Sequence, residues 1–465
     1  MPRQSRSRLW VLLVLLVLLA VMGPLSYLGW RQSVAPVAVT AAVPRALGRQ
    51  TTFTVRAEAA HGQVSRLEVR LVQGGKSVTA FQRAGALGPR LEAPVTVEGP
   101  RLGLREGAAT LEVWAHDDFW RPLPTVDRAL LSQPVSIDLT PPRIEILGAT
   151  RYLAQGGAGL VAFRVTEASG ASVSAGPLTY PSFPLGPPAR GARVALIALP
   201  WDFAPGTALA VTARDEAGNE AVRGIPSEVR ARRFPHDTIE IKDALLQAKV
   251  PELLPQRRAD QPLLEGFLVI NRDLRRQAET EKRRLGAQTA DHALWAGAFV
   301  QPRNTKVFSN FAETRTYRYQ GKEIDTQVHV GFDLASTRQA PVPAANRGVV
   351  VFAAPLSIYG NTVIVDHGLG LQTLYAHLSH LEVKVGDAVD RGQVLGRTGT
   401  SGLAVGDHLH FEVLVHGTSV TPREWWDAKW IRDHIGQPLA EAGLPALGAE
   451  ADEGRAAVPA RAPGR

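Results

Sequence analysis

Apolar and polar positions alternate along much of the chain. Thr52-Phe53-Thr54-Val55-Arg56, Leu67-Glu68-Val69-Arg70-Leu71 and Ala109-Thr110-Leu111-Glu112-Val113-Trp114 all repeat with period two, the spacing of a strand with one buried face. Short runs of this kind between Gly/Pro turns predict a β-sandwich over 31–137. Its first residues, 31–50, are rich in Ala, Val and Pro and read as a linker. A second β unit is expected over 138–231, running from Asp138-Leu139-Thr140-Pro141-Pro142 to Asp215-Glu216-Ala217-Gly218-Asn219. The pattern changes over 232–293. There Leu263, Leu264, Phe267, Leu268 and Leu274 recur at helical spacing, with Arg272, Arg275, Arg276, Lys282 and Arg283 around them, which predicts a short helical region with a packed apolar stripe. Period two returns within 294–430. The tail, 431–465, is biased to Ala, Gly, Pro and Glu and is expected to be disordered. The fold class is therefore mainly β.

The amino terminus carries a different pattern. Arg3, Arg6 and Arg8 precede Leu9–Trp30, a 22-residue stretch without a charge. About 20 apolar residues cross a bilayer as a helix, and Trp10, Tyr27 and Trp30 sit near the ends, where amphipathic rings prefer the interface. Residues 1–30 thus read as a cytoplasmic tip and a single membrane-spanning anchor. A cleaved secretory signal is the competing reading, because the densest apolar run, Trp10–Met22, is only 13 residues long. Either reading sends the rest of the chain out of the cytoplasm.

Composition narrows the chemistry. Cysteine is absent, which excludes disulfides, thiolate-bound zinc and a Cys nucleophile together. Any metal must be held by His and carboxylates. The net charge is +8, which suits a polyanionic partner such as an envelope polymer or lipid headgroups. No Lys/Arg block is interleaved with aromatics, so nucleic acid is not expected as a partner.

Seven of the 12 histidines fall between His329 and His416, and a cluster of groups that serve as both metal ligands and bases marks the first place to look. In His408-Leu409-His410-Phe411-Glu412-Val413 the apolar residues alternate with both histidines, which places the two imidazoles on one face of a strand. In Val328-His329-Val330-Gly331-Phe332-Asp333-Leu334 the same alternation aligns His329 with Asp333, and Gly331 between them leaves room for an ion and its water. Thr373, Tyr375 and His377 alternate with Leu374, Ala376 and Leu378. Imidazole and carboxylate ligands suit Zn2+, which commonly takes three protein ligands at catalytic sites. Glu412 shares the face of His410 and is either an acceptor behind it or a surface carboxylate. His380 and His416 read as solvated. Asp366 and His367 read as closing a hairpin. Asn361 reads either as a turn residue or as a hydrogen-bonding group near a groove.

Two resemblances follow from these motifs. Thr140-Pro141-Pro142 and Asp215-Glu216-Ala217-Gly218-Asn219 resemble the ends of bacterial immunoglobulin-like repeats found on cell-surface proteins. "HVGFD" at 329–333, "YAHL" at 375–378 and "HLHFE" at 408–412 occur in that order, with "VKVGDAVDRGQVLGRTGTSG" at 383–402 between them. Together they resemble the lysostaphin/LytM-type zinc endopeptidases of bacterial cell walls, over about 299–425. The resemblance implies a small antiparallel β domain with a groove. It implies Zn2+ bound by His329, Asp333 and His410, and a catalytic pair, His377 and His408. The implied substrate is a peptide cross-bridge of peptidoglycan, cut by an enzyme held on the outer side of the cell membrane. Some relatives instead lack metal ligands and act as binding modules that regulate a separate amidase; here all five positions are filled. One departure lies upstream. The family's S-x-F-G-x-R stretch is replaced by Ser309-Asn310-Phe311-Ala312-Glu313-Thr314-Arg315, with Ala for Gly and a shifted Arg.

Overall fold

The computed structural model describes residues 4–448 apart from 188 and 190. The chain is mainly β, as its alternation requires, and divides into two compact units. The first takes the chain up to Pro142 with Glu167–Ser169 and Arg214–Ala221; the second takes Arg143–Thr166, Gly170–Ala213 and the chain from Val222 on.

The first unit begins with the helix Gln4–Ser33, whose apolar window Trp10–Ser33 has no buried residue. Its far end is anchored by side chains: the Arg31 Nε donates to the Trp120 carbonyl at 2.9 Å, and its guanidinium lies 4.1 Å from the Phe119 ring centroid. Two antiparallel-rich sheets follow. One orders Ala38–Ala41, Thr51–Glu58 and Arg90–Val97; the other orders Ala46–Leu47, Leu131–Ile137, Gly107–Asp117, Val64–Gln73 and Lys76–Ala84. Thr51–Glu58 buries every second residue, and Val55, Leu67, Val69, Leu111 and Val113 meet in one core. Burying such a side chain stabilises the fold by roughly 1.5–3 kcal/mol.

The second unit holds both the next β region and the histidine cluster. Its first strands include Arg143–Ala149, Ala158–Thr166 and Ala192–Ala198, paired antiparallel. The expected boundary at 231 does not end a core: Leu160, Phe163 and Leu196 belong to the same buried cluster as Trp295, Phe299 and Trp425. The region 232–293 also differs from a simple helical linker. His236–Ile241 is a strand, parallel to Glu313–Tyr319, before the helices Asp243–Leu253, Leu263–Val269 and Arg275–Gly286.

The principal sheet runs in the order Lys306–Ser309, Phe332–Ala335, Leu409–Val415, Leu371–Leu378, Asn361–Asp366, Gly348–Pro355 and Ala388–Val389, every neighbour antiparallel. Leu371–Leu378 and Leu409–Val415 are buried at every position, where alternation predicts a polar face. The reason is a second cover. Tyr375, Phe411 and Val413 pack on the Trp425 side, while Leu374, Ala376 and Leu414 pack with Phe267, Ala278 and Leu285 of the helical region.

The tail requires a correction. Within 431–465, the segments Arg432–Gly436 and Gln437–Glu441 are helical, and Ile435 and Leu439 are buried. Leu439 and Ile435 supply the apolar anchors that composition averaging hides, and Thr150 Oγ donates to the His434 carbonyl at 2.6 Å. Residues 449–465 lie outside the described residues.

Candidate active site

His329 closes the strand Lys322–His329, and Asp333 lies in the next strand, Phe332–Ala335. The continuous strand expected over 328–334 is therefore broken at Val330-Gly331. A Cβ at Gly331 would lie 2.6 Å from His410 Nε2 and 2.7 Å from the Phe411 carbonyl. Glycine here makes room for the His410 ring rather than for water. Asp333 and His410 are register partners across Phe332–Ala335 and Leu409–Val415, so the sheet itself brings these two together.

Three ligand atoms meet at one point. His329 Nε2, Asp333 Oδ1 and His410 Nδ1 are each 2.9 Å from the other two. All three residues are buried. The outer contacts decide where the protons are. His329 Nδ1 is 2.9 Å from the Asn310 carbonyl oxygen, which can only accept, so Nδ1 carries the hydrogen and Nε2 a lone pair. His410 Nε2 is 2.8 Å from Glu412 Oε1. Burial alone would raise the Glu412 carboxyl; Lys282 and the His410 N–H reverse this and hold it below the ordinary carboxylate range. Glu412 is therefore an acceptor, His410 Nε2 a donor, and His410 Nδ1 a second lone pair. With both rings neutral, three lone pairs converge at 2.9 Å, the form in which the group could hold a cation. Burial alone would lower the His410 imidazole, but the Asp333 and Glu412 carboxylates reverse this and raise it above its ordinary value. The donor set, two imidazoles and one carboxylate, fits Zn2+.

Two more imidazoles stand beside this triangle. His377 Nδ1 donates to the Ser401 carbonyl at 2.8 Å, and His408 Nδ1 to the Gly406 carbonyl at 2.7 Å. Both rings thus keep Nε2 free, and both line a cavity of about 380 Å3 with His329, Asp333 and His410. Their centroids are 4.8 Å apart, and His408 Nε2 is 3.6 Å from Asp333 Oδ1. Burial, followed by His408 and His410, pushes His377 well below the usual imidazole range. His377 also has φ 61°, in the left-handed region that histidine enters more readily than most side chains do. The segment that holds it is clamped from both sides. Lys249 Nζ donates to the Thr400 carbonyl at 2.6 Å, and Glu252 Oε1 accepts the Gly402 N–H at 3.1 Å.

The structure thus brings together all five residues singled out by motif. Glu412 is fully buried, which decides between its two readings. Asn361 Nδ2 donates to the Leu378 carbonyl at 3.0 Å, one residue beyond His377. His380 is exposed, but His416 is not simply solvated: its ring stacks on Phe183 at 6.1 Å, and burial lowers its pKa to about 4. The altered upstream stretch still serves the site. Ala312 has φ 58°, where glycine would be unstrained, and Arg315 NH2 reaches Asp333 Oδ2 at 2.8 Å and Ser309 Oγ at 2.6 Å. Sequence reasoning missed Lys282, which is fully buried. Ala278, Lys282 and Leu285 are spaced i, i+4, i+7 on one helix face, and that spacing was the signal.

Residues 327–422 match peptidase family M23. Over 96 residues the chain is 40% identical to the DD-carboxypeptidase/endopeptidase Mpg of Neisseria meningitidis serogroup B, covering 21% of this chain and 22% of that protein. Over 92 residues it is 41% identical to the peptidoglycan DD-endopeptidase ShyA of Vibrio cholerae serotype O1, covering 20% of this chain and 21% of that protein. The chain therefore spans about a fifth of the length of these curated relatives. Among solved structures, a putative peptidase M23 from Pseudomonas aeruginosa is 20% identical, with a TM-score of 0.38, over 59% of this chain and 95% of that one. The matched residues contain the converging lone pairs and both adjacent imidazoles, and the resemblance to lysostaphin/LytM-type enzymes is borne out: the carboxy-terminal part of this chain carries a peptidase family M23 domain.

Proposed function

We propose that this chain is a zinc-dependent endopeptidase that hydrolyses peptide cross-bridges of peptidoglycan, working outside the cytoplasm from a membrane anchor at 1–30. The observation that carries this reading is the convergence of three lone pairs beside two imidazoles with free Nε2 atoms. His329, Asp333 and His410 would hold the ion. When bound, Zn2+ supplies Lewis acidity toward a peptide carbonyl and acidifies water toward a pKa of ~7.

The chain's own residues do the rest. His408 and His377, each with Nδ1–H tied to a backbone carbonyl, present basic Nε2 atoms to the cavity. One would take a proton from the attacking water onto Nε2 and pass it on to the leaving amine, while the other, its Nε2 unprotonated, would accept a hydrogen bond from that water and orient it. No Glu stands where an H-E-x-x-H enzyme has its base, so an imidazole carries the proton. Arg315 and Ser309 fix the second oxygen of Asp333 through a short hydrogen-bonded chain. The relatives include peptidoglycan DD-endopeptidases of Vibrio cholerae serotype O1, which supports the substrate class.

The test is direct. Full-length protein is incubated with purified sacculi in zinc and in chelator, beside a His408→Ala variant. Zinc-dependent release of soluble, un-cross-linked fragments by the wild type alone is expected. Metal binding without release under any condition would instead support a binding module.

A further inference from the structure

Lys282 lies on the helix Arg275–Gly286, before the residues that match the peptidase family. Its side chain is completely buried. Transferring an ammonium out of water is expensive, and replacing a buried ion pair with apolar side chains is often neutral or stabilising. A buried lysine therefore calls for a reason beyond packing.

Its contacts supply one. Lys282 Nζ is 2.8 Å from Glu412 Oε2 and 2.8 Å from Glu279 Oε1, and 3.1 Å from both the Tyr359 hydroxyl and Ser419 Oγ. Glu412 in turn accepts from every side. Oε1 takes the His410 Nε2–H at 2.8 Å and the Tyr359 O–H at 2.6 Å, and Oε2 takes Lys282 at 2.8 Å and the Ser419 O–H at 2.6 Å. A carboxylate with all four lone-pair directions engaged cannot turn. It holds the His410 ring in one orientation and one tautomer, with Nδ1 facing His329 and Asp333. Remove the ammonium and Oε2 keeps only the Ser419 hydroxyl, so the acceptor behind the metal ligand loses its ionic anchor.

We propose that Lys282 is a positioning residue for the metal centre, acting through Glu412 on His410, so that the helix Arg275–Gly286 is part of the metal-binding apparatus and not a linker. This rests on the reading of His410 as a metal ligand. Groups behind a ligating histidine typically change metal affinity by 10–100-fold when removed. A fragment that begins at 294 lacks both Lys282 and the helices that cover this face of the strand Leu409–Val415.

The experiment measures zinc affinity of the full chain by competition with a chromophoric chelator, and the visible spectrum of the cobalt-substituted protein. Two variants are used: Lys282→Met, and Lys282→Met combined with Glu412→Gln, which removes both buried charges and so protects the fold. The expected result is a zinc Kd raised about 10–100-fold in both, with altered cobalt bands. A purely structural lysine would lower the melting temperature and leave Kd and the bands unchanged; a Kd within twofold of wild type in the folded variants overturns the proposal. Activity plays no part in this readout. A wild-type chain that binds zinc tightly but releases nothing from sacculi would sink the proposed hydrolysis and leave the role of Lys282 standing.

Discussion

His329 Nε2 and His410 Nδ1 stand 2.9 Å apart, each with its ring proton committed to an acceptor on the far side. Two lone pairs and a carboxylate oxygen pressed together are mutually repulsive until a cation sits among them. Zinc should therefore stabilise the fold. At 100 times Kd the gain is about 2.7 kcal/mol, read as a higher melting temperature in zinc than in chelator. Asp333→Ala should abolish the shift. Both imidazoles must be neutral to bind; against burial, Asp333 and Glu412 hold the His410 imidazole above its ordinary value of ~6.5, so the shift should already fade as pH falls toward ~6.5.

Gly331 faces the same ring. Its missing Cβ is what lets His410 Nε2 sit where it does, at 2.6 Å from the ideal Cβ position. Gly331→Ala should displace His410 and weaken zinc binding by at least about tenfold, in the range seen when a ligand's support is lost. Isothermal titration would measure it; unchanged affinity would show that the strand can shift to absorb the methyl group.

His377 and His408 touch the proposed substrate cavity but not the lone-pair triangle's centre. Replacing either with Ala should lower kcat by roughly 10²–10⁴-fold, the usual size of general acid–base catalysis, while zinc content by metal analysis stays at one per chain. Lys249→Met with Glu252→Gln releases the segment that carries the Ser401 carbonyl. It should lower kcat with little change in zinc affinity.

Glu424 offers a pH test away from the metal. Its Oε2 accepts the Ala158 N–H at 2.9 Å, and burial raises its pKa from 4.5 to about 7. The folded state thus binds this proton more tightly than the unfolded state. The stabilisation is complete below about pH 4.5 and is lost as pH rises through about 7. Raising this carboxyl from 4.5 to about 7 corresponds to about 3 kcal/mol. Histidines 367 and 416, lowered by burial to about 4, act in the opposite sense and cost stability as pH falls from 6.5 toward 4. The difference in stability between wild type and Glu424→Gln isolates the carboxyl: it should grow steadily in favour of the variant from pH 5 to 7.5. Parallel pH curves would rule the shift out.

The absence of cysteine makes the anchor testable. Leu15→Cys in full-length protein places a single reactive thiol in the exposed apolar window Trp10–Ser33. An environment-sensitive fluorophore there should be quenched by lipids carrying a spin label near the acyl-chain centre. The same fluorophore at Val405→Cys, on an exposed rim residue of the cavity, should not. An unquenched Leu15 label in vesicles would remove the anchor.

Period two announced strands such as Thr51–Glu58, Val64–Gln73 and Gly107–Asp117, and the helical spacing of Leu263, Phe267 and Leu274 announced the helix Leu263–Val269 and its continuation, because both depend on which residues face a core. The same logic failed for Leu371–Leu378 and Leu409–Val415. A strand covered on both faces shows its neighbours' chemistry, not a polar side, so Thr373 is buried although it falls on the alternating polar set, and periodicity alone left Glu412 open between a buried acceptor and a surface carboxylate. Lys282 was read as part of a basic fringe because a charge on a helix is ordinarily solvated. The packed helical segments at 432–441 were hidden in an Ala/Gly-rich tail, since two anchors such as Ile435 and Leu439 barely move an average composition.

By itself, the sequence limited the candidate metal ligands to imidazole and carboxylate, and only the family resemblance implied that His329, Asp333 and His410 share an ion. Only imidazole and carboxylate were available in a chain without cysteine, and the spacing of His408 with His410 and of His329 with Asp333 is local. What decided the chemistry was tertiary. The antiparallel register of Asp333 with His410 brings candidate ligands 77 residues apart to 2.9 Å. The outward hydrogen bonds to Asn310 and Glu412 then set which nitrogen keeps its lone pair. Proton placement depends on what lies behind each ring, and those partners come from segments that no pattern along the chain connects.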